Sequence, residues 1–155
     1  MPLLQMDTST DLDLTWRIEA SRAHVWDCLT NADLLSLWLG EVVDGSVGPG
    51  SDFVVDHGGN YCCRSTVVTY AEPSRLDFTW HFPDEPKSQV ALQLEESANA
   101  TVLRLTHSAL GDLTSSYRDG WCVHLSYLEG AALGTPLPAS MFWQLHGTMA
   151  QLNMG

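Results

Sequence analysis

Residues 12–30 read Leu-Asp-Leu-Thr-Trp-Arg-Ile-Glu-Ala-Ser-Arg-Ala-His-Val-Trp-Asp-Cys-Leu-Thr, and two hydrophobic periods meet inside this stretch. Leu12, Leu14, Trp16 and Ile18 alternate with Asp11, Asp13, Thr15 and Arg17, the period of two that marks a half-buried strand. Ser21 is placed to cap a helix, and Val25, Trp26, Cys28 and Leu29 supply its apolar stripe. Asn31 can cap a second short helix that carries Leu34, Leu35, Leu37 and Trp38. A strand followed at once by a helix-loop-helix crossover is the element order that any fold for this chain must satisfy.

Beyond the crossover the chain breaks at Gly40, Gly45, Gly48, Pro49 and Gly50. Period two then returns in Phe53, Val55 and His57, ahead of a Gly58-Gly59-Asn60 turn. Further strands are predicted over 61–70, 76–82, 88–94 and 101–107, and gaps as short as Glu72-Pro73-Ser74 and Ser97-Ala98-Asn99 call for antiparallel hairpins. From Leu113 onward Tyr117, Trp121, His124, Leu125, Leu128 and Ala132 fall at three- and four-residue intervals, which predicts a long amphipathic helix stopped by Gly134-Thr135-Pro136. The tail from Pro138 holds Met141, Phe142, Trp143, Leu145, Met149 and Leu152, and is expected to be partly helical, packed on the domain or on a partner subunit. All these stripes are buried together if a curved antiparallel sheet of about six or seven strands wraps a long C-terminal helix, with two short helices after the first strand. The reading is one α+β domain over 1–155, its core at about 12–133 and an apolar extension at 134–155.

The chain has 155 residues, 45% of them hydrophobic, with 7 basic against 19 acidic side chains and a net charge of -12. One domain of that length buries enough surface to fold without a disulfide or a metal. With Lys87 its single lysine, the chain has little to neutralise phosphates, and its own field opposes nucleic acid and anionic membranes. Met1 to Thr10 lacks a basic and apolar leader pattern, and no stretch approaches the roughly 18 unbroken apolar residues of a membrane span, so a cytoplasmic location is expected. Cys28, Cys62, Cys63 and Cys122 show neither paired zinc spacing nor a secreted framework and read as free thiols.

The run Arg17 to Thr30 followed by Leu37-Trp38 resembles the opening of the domain homologous to the activator of the ninety-kilodalton heat-shock protein's ATPase, a family of the START-related SRPBCC superfamily. The likeness continues in Glu72 to Trp80, Ser88 to Leu92, Thr101 to His107 and Asp119-Gly120-Trp121. It covers roughly Leu12 to Leu133. The resemblance implies the helix-grip fold, in which small apolar molecules bind a cavity between sheet and long helix. Superfamily members include ligand carriers, polyketide cyclases and aromatases, and chaperone co-factors. The co-chaperone proper also carries a separate N-terminal chaperone-binding domain, for which these 155 residues leave no room, and its relatives usually end soon after the long helix.

Strand parity places Trp16, Phe53, His57, Phe78, Trp80, Leu103, Leu105 and His107 on the inward face, with Val55 and Leu92. Trp121, His124, Leu125 and Leu128 of the long helix and Trp38 of the second short helix close the space, and Tyr61 can orient a ligand. The same side chains are also what a fully packed core needs. His57 and His107 each end an inward parity, so both are expected at the cavity mouth, where an imidazole can orient a carbonyl or shuttle a proton. His57, His107 and His124 lack metal-ligand spacing, and no metal or other cofactor is expected. No nucleophile elbow, phosphate loop or dinucleotide fingerprint is present. The paired carboxylates Glu95-Glu96 and Asp84-Glu85 fall in or beside turns, while Asp56 and Asp77 are expected to face outward. Three functions fit: a carrier of a small hydrophobic molecule, a polyketide cyclase or aromatase-like enzyme, and a chaperone-directed or stress-related interaction module. The last would use the outer sheet or the apolar tail, against a chaperone or a second copy of the chain in a homodimer.

Overall fold

The computed structural model describes residues 2–8 and 11–153. Its elements run β1 (Leu3–Asp7), β2 (Leu12–Ile18), α1 (Arg22–Thr30), α2 (Ala32–Leu35), β3 (Glu41–Gly45), β4 (Asp52–Asp56), β5 (Cys62–Ala71), β6 (Arg75–Trp80), β7 (Ser88–Ser97), β8 (Ala100–Ser108), α3 (Thr114–Ala132) and α4 (Phe142–Asn153). The strands form one antiparallel sheet in the order β1-β2-β8-β7-β6-β5-β4-β3. From β3 to β8 the chain is a meander, and the α1–α2 crossover carries it from β2 to the far edge. The caps are those the sequence offers: Ser21 Oγ accepts from the His24 amide at 3.2 Å, and Asn31 Oδ1 from the amides of Asp33 and Leu34.

The sheet has eight strands rather than six or seven. Both additions are short edge strands without an apolar alternation: β1 falls in Met1 to Thr10, for which no strand is predicted, and β3 in the run of glycine breaks. Each exists because a neighbouring strand offers unpaired ladder groups, and each carries a register irregularity of the kind found at edges. Edge pairing of this kind leaves no hydrophobic signature, since all but Leu3 in β1 and Val42 in β3 are exposed.

The inner face of the sheet is covered by α1 and α3: β7 and β8 meet α1, β2 meets α3, and Trp80 of β6 and His107 of β8 reach Trp121 of α3. Leu12, Leu14, Ile18, Leu92, Leu103 and Leu105 are essentially without solvent contact, and each contributes about 1.5–3 kcal/mol by burial. Asp77 lies on the outer parity, between buried Leu76 and Phe78, yet is only 5% exposed. Arg75, two residues away on the same face, covers it and donates Nε to both carboxylate oxygens at 3.1 and 3.0 Å. Outward-facing and exposed are therefore separate properties at this position.

The tail turns back on α3 and packs on its own domain. Phe142, Leu145 and Met149 rest half-buried on the core, the Tyr127 hydroxyl donates to the Pro138 carbonyl at 2.5 Å, and Asn153 Nδ2 donates to Asp119 Oδ1 at 2.6 Å. Gly130 permits the reversal, because a Cβ there would stand 2.9 Å from the Thr135 carbonyl oxygen. Among the described residues no helix is long and apolar enough to cross a membrane.

Candidate functional site

The β4–β5 turn, the segment that follows α2, the body of α3, and α4 converge around one pair of imidazoles. Gly58, Gly59 and Asn60 all adopt positive φ, so the turn reverses tightly and leaves His57 at the inner end of β4. Its ring lies 5.6 Å from that of His124, centroid to centroid. Two cavities meet at this pair and share Phe142 and Trp143 of the tail as a common wall. The larger, about 320 Å³, reaches toward α2 between Trp38, Asp56, Tyr127 and the Leu39–Gly40–Glu41 backbone. The smaller, about 200 Å³, is lined by Tyr61, Trp80, Phe82 and Glu85 on the sheet side and by Tyr117, Trp121 and His146 on the helical side.

Hydrogen bonds settle the chemistry of each polar group. His124 Nδ1 faces the Trp38 carbonyl at 2.9 Å, so that nitrogen carries the proton and Nε2 is left as an acceptor. His57 Nε2 is buried and, among the described residues, has no hydrogen-bond partner. Burial holds the His57 pKa down to about 4. The His124 pKa falls to about 3, from burial first and then from the nearby His57 and His146 imidazoles. Both rings are therefore neutral at physiological pH and only weakly basic. Tyr117 donates its hydroxyl to Glu85 Oε1 and accepts from Trp80 Nε1, and Tyr61 donates to Asp84 Oδ1 at 2.7 Å. Burial and these carboxylates push both phenols well above their ordinary pKa, so neither is an acid at neutral pH. The two bonds also tie down the β6–β7 loop that forms one wall.

Of the side chains singled out by parity, Trp38, His57, Tyr61, Trp80, Trp121 and His124 line these cavities. Trp16, Phe53, Phe78, Leu103, Leu105, Leu125 and Leu128 instead fill the core. His107, expected at the mouth, has no solvent exposure at all and both of its nitrogens are bonded within the protein, to Trp121 and Ser88. Among the described residues no group of three His, Cys, Asp or Glu side chains is arranged to hold a metal ion. Phe82, Glu85, Tyr117, Phe142, Trp143 and His146 were not singled out. Phe82 continues the 78–80 parity and Tyr117 precedes Trp121 by one helical turn, so those two were within reach of the pattern; no pattern points to the tail residues.

The family model described as Activator of Hsp90 ATPase homolog 1-like protein matches residues 19–132. The chain belongs to that family. No curated protein matches it. Among solved structures, CalU16 from Micromonospora echinospora is 23% identical and superposes with a TM-score of 0.75, with 92% of this chain and 84% of that one covered. The protein encoded by gene BPP1335 from Bordetella parapertussis is 23% identical, with a TM-score of 0.74 and coverage of 96% and 86%. The Aha1 dimer from Colwellia psychrerythraea is 23% identical, with a TM-score of 0.67 and coverage of 79% and 96%. At such identities the likeness is one of fold, the helix-grip fold. The match to the Aha1-homologue family stops at residue 132, so Phe142, Trp143 and His146 add walls to the site from outside the matched segment.

Proposed function

We propose that this Aha1-homologue domain is a cytoplasmic small-molecule binding protein whose ligand, apolar or aromatic in its main part, occupies the cavities around His57 and His124. The observation that carries this reading is the orphaned His57 Nε2, buried between two aromatic-walled cavities. A buried polar atom without a partner costs about 1–3 kcal/mol, and a ligand donor or acceptor in the cavity relieves that cost. The walls supply affinity by apolar burial, and His57 and His124 supply orientation.

Binding is favoured over a cyclase-type reaction by the weak basicity of the same imidazoles. A general base works best with a pKa near the operating pH, and values of about 4 and 3 leave little driving force for proton abstraction at neutrality. Native mass spectrometry of the protein purified from its own host tests the reading. The expected result is a co-purifying small molecule that is lost in a His57→Phe or Trp121→Ala variant. Unliganded protein, with no hit in a broad screen of lipids and aromatic compounds, would refute it.

A further inference from the structure

We propose that the smaller cavity is a cage for a small organic ammonium ion, a methylated or quaternary amine. The inference rests on the small-molecule reading above and names the ligand class for that site.

The walls are the first support. Seven of the lining side chains are aromatic, with Trp80, Tyr117 and Trp121 at the floor and Trp143 at the rim. Trp80 lies 6.1 Å from Tyr117 at 82° and 5.3 Å from Trp121 at 51°, so these three rings stand in different planes, while Tyr61 and Phe82 form a stacked pair beside them. Rings in several planes can surround a cation, whose attraction to the ring quadrupole needs no hydrogen bond. A quaternary ammonium needs no hydrogen-bond acceptor, so aromatic faces and one carboxylate are enough to hold it.

Charge is the second. Glu85 stands in the wall, held by the Tyr117 hydroxyl, and among the described residues no ion pair balances it. Lysine and arginine are absent from the described lining; Arg64 and Lys87 line a separate cavity against the outer face of β4 and β5. The described lining thus holds one carboxylate and no lysine or arginine, and its His57 and His124 remain uncharged at neutral pH. The net charge of -12 raises the local concentration of cations around it. Size is the third: at about 200 Å³ the space is smaller than cavities for drug-sized ligands, and suits a compact ammonium. The orphaned His57 Nε2 gives such a ligand one polar anchor beyond its charge.

The test is a titration of the full chain with choline and with its neutral carbon isostere 3,3-dimethylbutan-1-ol, followed by the indole N–H resonances of Trp80 and Trp121. The expected result is saturable choline binding at least about tenfold tighter than the isostere. Glu85→Gln should weaken choline by about tenfold and leave the isostere unchanged. Tyr117→Phe, which keeps the ring and frees the carboxylate, should also weaken choline. Equal binding of the two probes, or choline binding indifferent to Glu85→Gln, overturns the ammonium class. So does a failure of choline to bind when native mass spectrometry finds another small molecule, and in that case the small-molecule reading stands. Failure of both probes together with unliganded protein and an empty broad screen removes both.

Discussion

The indole of Trp121 donates its Nε1–H to Nδ1 of His107 at 2.9 Å, and this one bond fixes the tautomer of a fully buried imidazole. An indole nitrogen only donates, so Nδ1 must be the bare nitrogen and the proton sits on Nε2. That proton goes to Ser88 Oγ at 2.7 Å, and Ser88 in turn donates to the Trp80 carbonyl at 3.3 Å. The chain of bonds links α3, β8, β7 and β6 just below the smaller cavity. His107 thus braces the floor of the site and has no nitrogen left for a ligand.

Removing that brace should be costly. His107→Ala leaves the Trp121 N–H without an acceptor, removes the donor to Ser88 Oγ and opens a void, with an expected loss of about 3 kcal/mol or more. His107→Gln, able to accept and donate, should lose less. Urea denaturation of the two variants checks both the size and the order. If His107→Ala unfolds at the wild-type midpoint, the brace has no structural weight.

Stability should fall on mild acidification. His57, His107 and His124 have folded-state pKa values held down to about 4, 3 and 3, chiefly by burial, against about 6.5 in an unfolded chain. The unfolded state therefore binds more protons as pH drops through 6.5, and stability present above that pH is lost on the way down to the folded values. Between pH 7.5 and 5.5 each imidazole accounts for about 1 kcal/mol, and the three together for a few kcal/mol. Urea midpoints at the two pH values measure the difference, and His107→Gln should flatten it. Equal or greater stability at pH 5.5 would show that these rings do not control the profile.

The tail helix should open more easily than the rest. None of its residues is fully buried, Trp143 is 57% exposed, and Phe142 makes the main seal with its ring 4.4 Å from that of His124. Elements with so little buried surface exchange by local opening. Amides of 142–153 are expected to exchange faster than those of 121–132, and Phe142→Ala should speed them further while changing global stability by about 1 kcal/mol or less. Hydrogen exchange resolved by segment gives the answer; uniform protection across α3 and α4 would contradict it.

Gly130→Ala separates two opposing effects. Alanine favours a helix by about 1 kcal/mol over glycine, but its Cβ would meet the Thr135 carbonyl at 2.9 Å and Leu137 Cγ at 3.4 Å. Because the nearer obstacle is backbone, the tail must shift, and 142–153 should lose protection even where α3 gains it. A variant with unchanged α4 exchange would mean that the reversal does not depend on that contact.

Three thiols should stay silent in the native protein. Burial raises Cys63 to about 12 and, with help from Asp27, Cys28 to about 11, and it raises Cys122 as well. The thiolate is the reactive form. With an aromatic disulfide reagent at pH 7.5, rapid labelling should be confined to half-buried Cys62, with the other three appearing only on unfolding.

Much of the fold was legible because burial imposes a period. The switch from alternation at Leu12–Ile18 to a stripe at Val25–Leu29, and the long stripe from Tyr117 to Ala132, record which sides of those segments face the core. The two edge strands were not legible, since β1 and β3 are held by backbone ladders that any sequence can form.

The site divides along the same line. Parity tells which side chains point inward, and Trp38, His57, Trp80, Trp121 and His124 all do so, as do Phe53, Phe78, Leu103 and His107. Whether an inward side chain meets a cavity or another side chain depends on the distance between facing elements, which no single segment encodes. The protonation of His57 and His124 follows from burial and from a carbonyl contributed by Trp38, 86 positions from His124. The amino-acid sequence by itself determined the order of the core elements, the inward faces and the net negative charge, because these are local periodicities and sums of charge. Only the tertiary structure decided that the tail closes the site, that His107 is a brace, and that the space left open is walled by aromatic rings beside one carboxylate, because those depend on how segments far apart in the chain pack together.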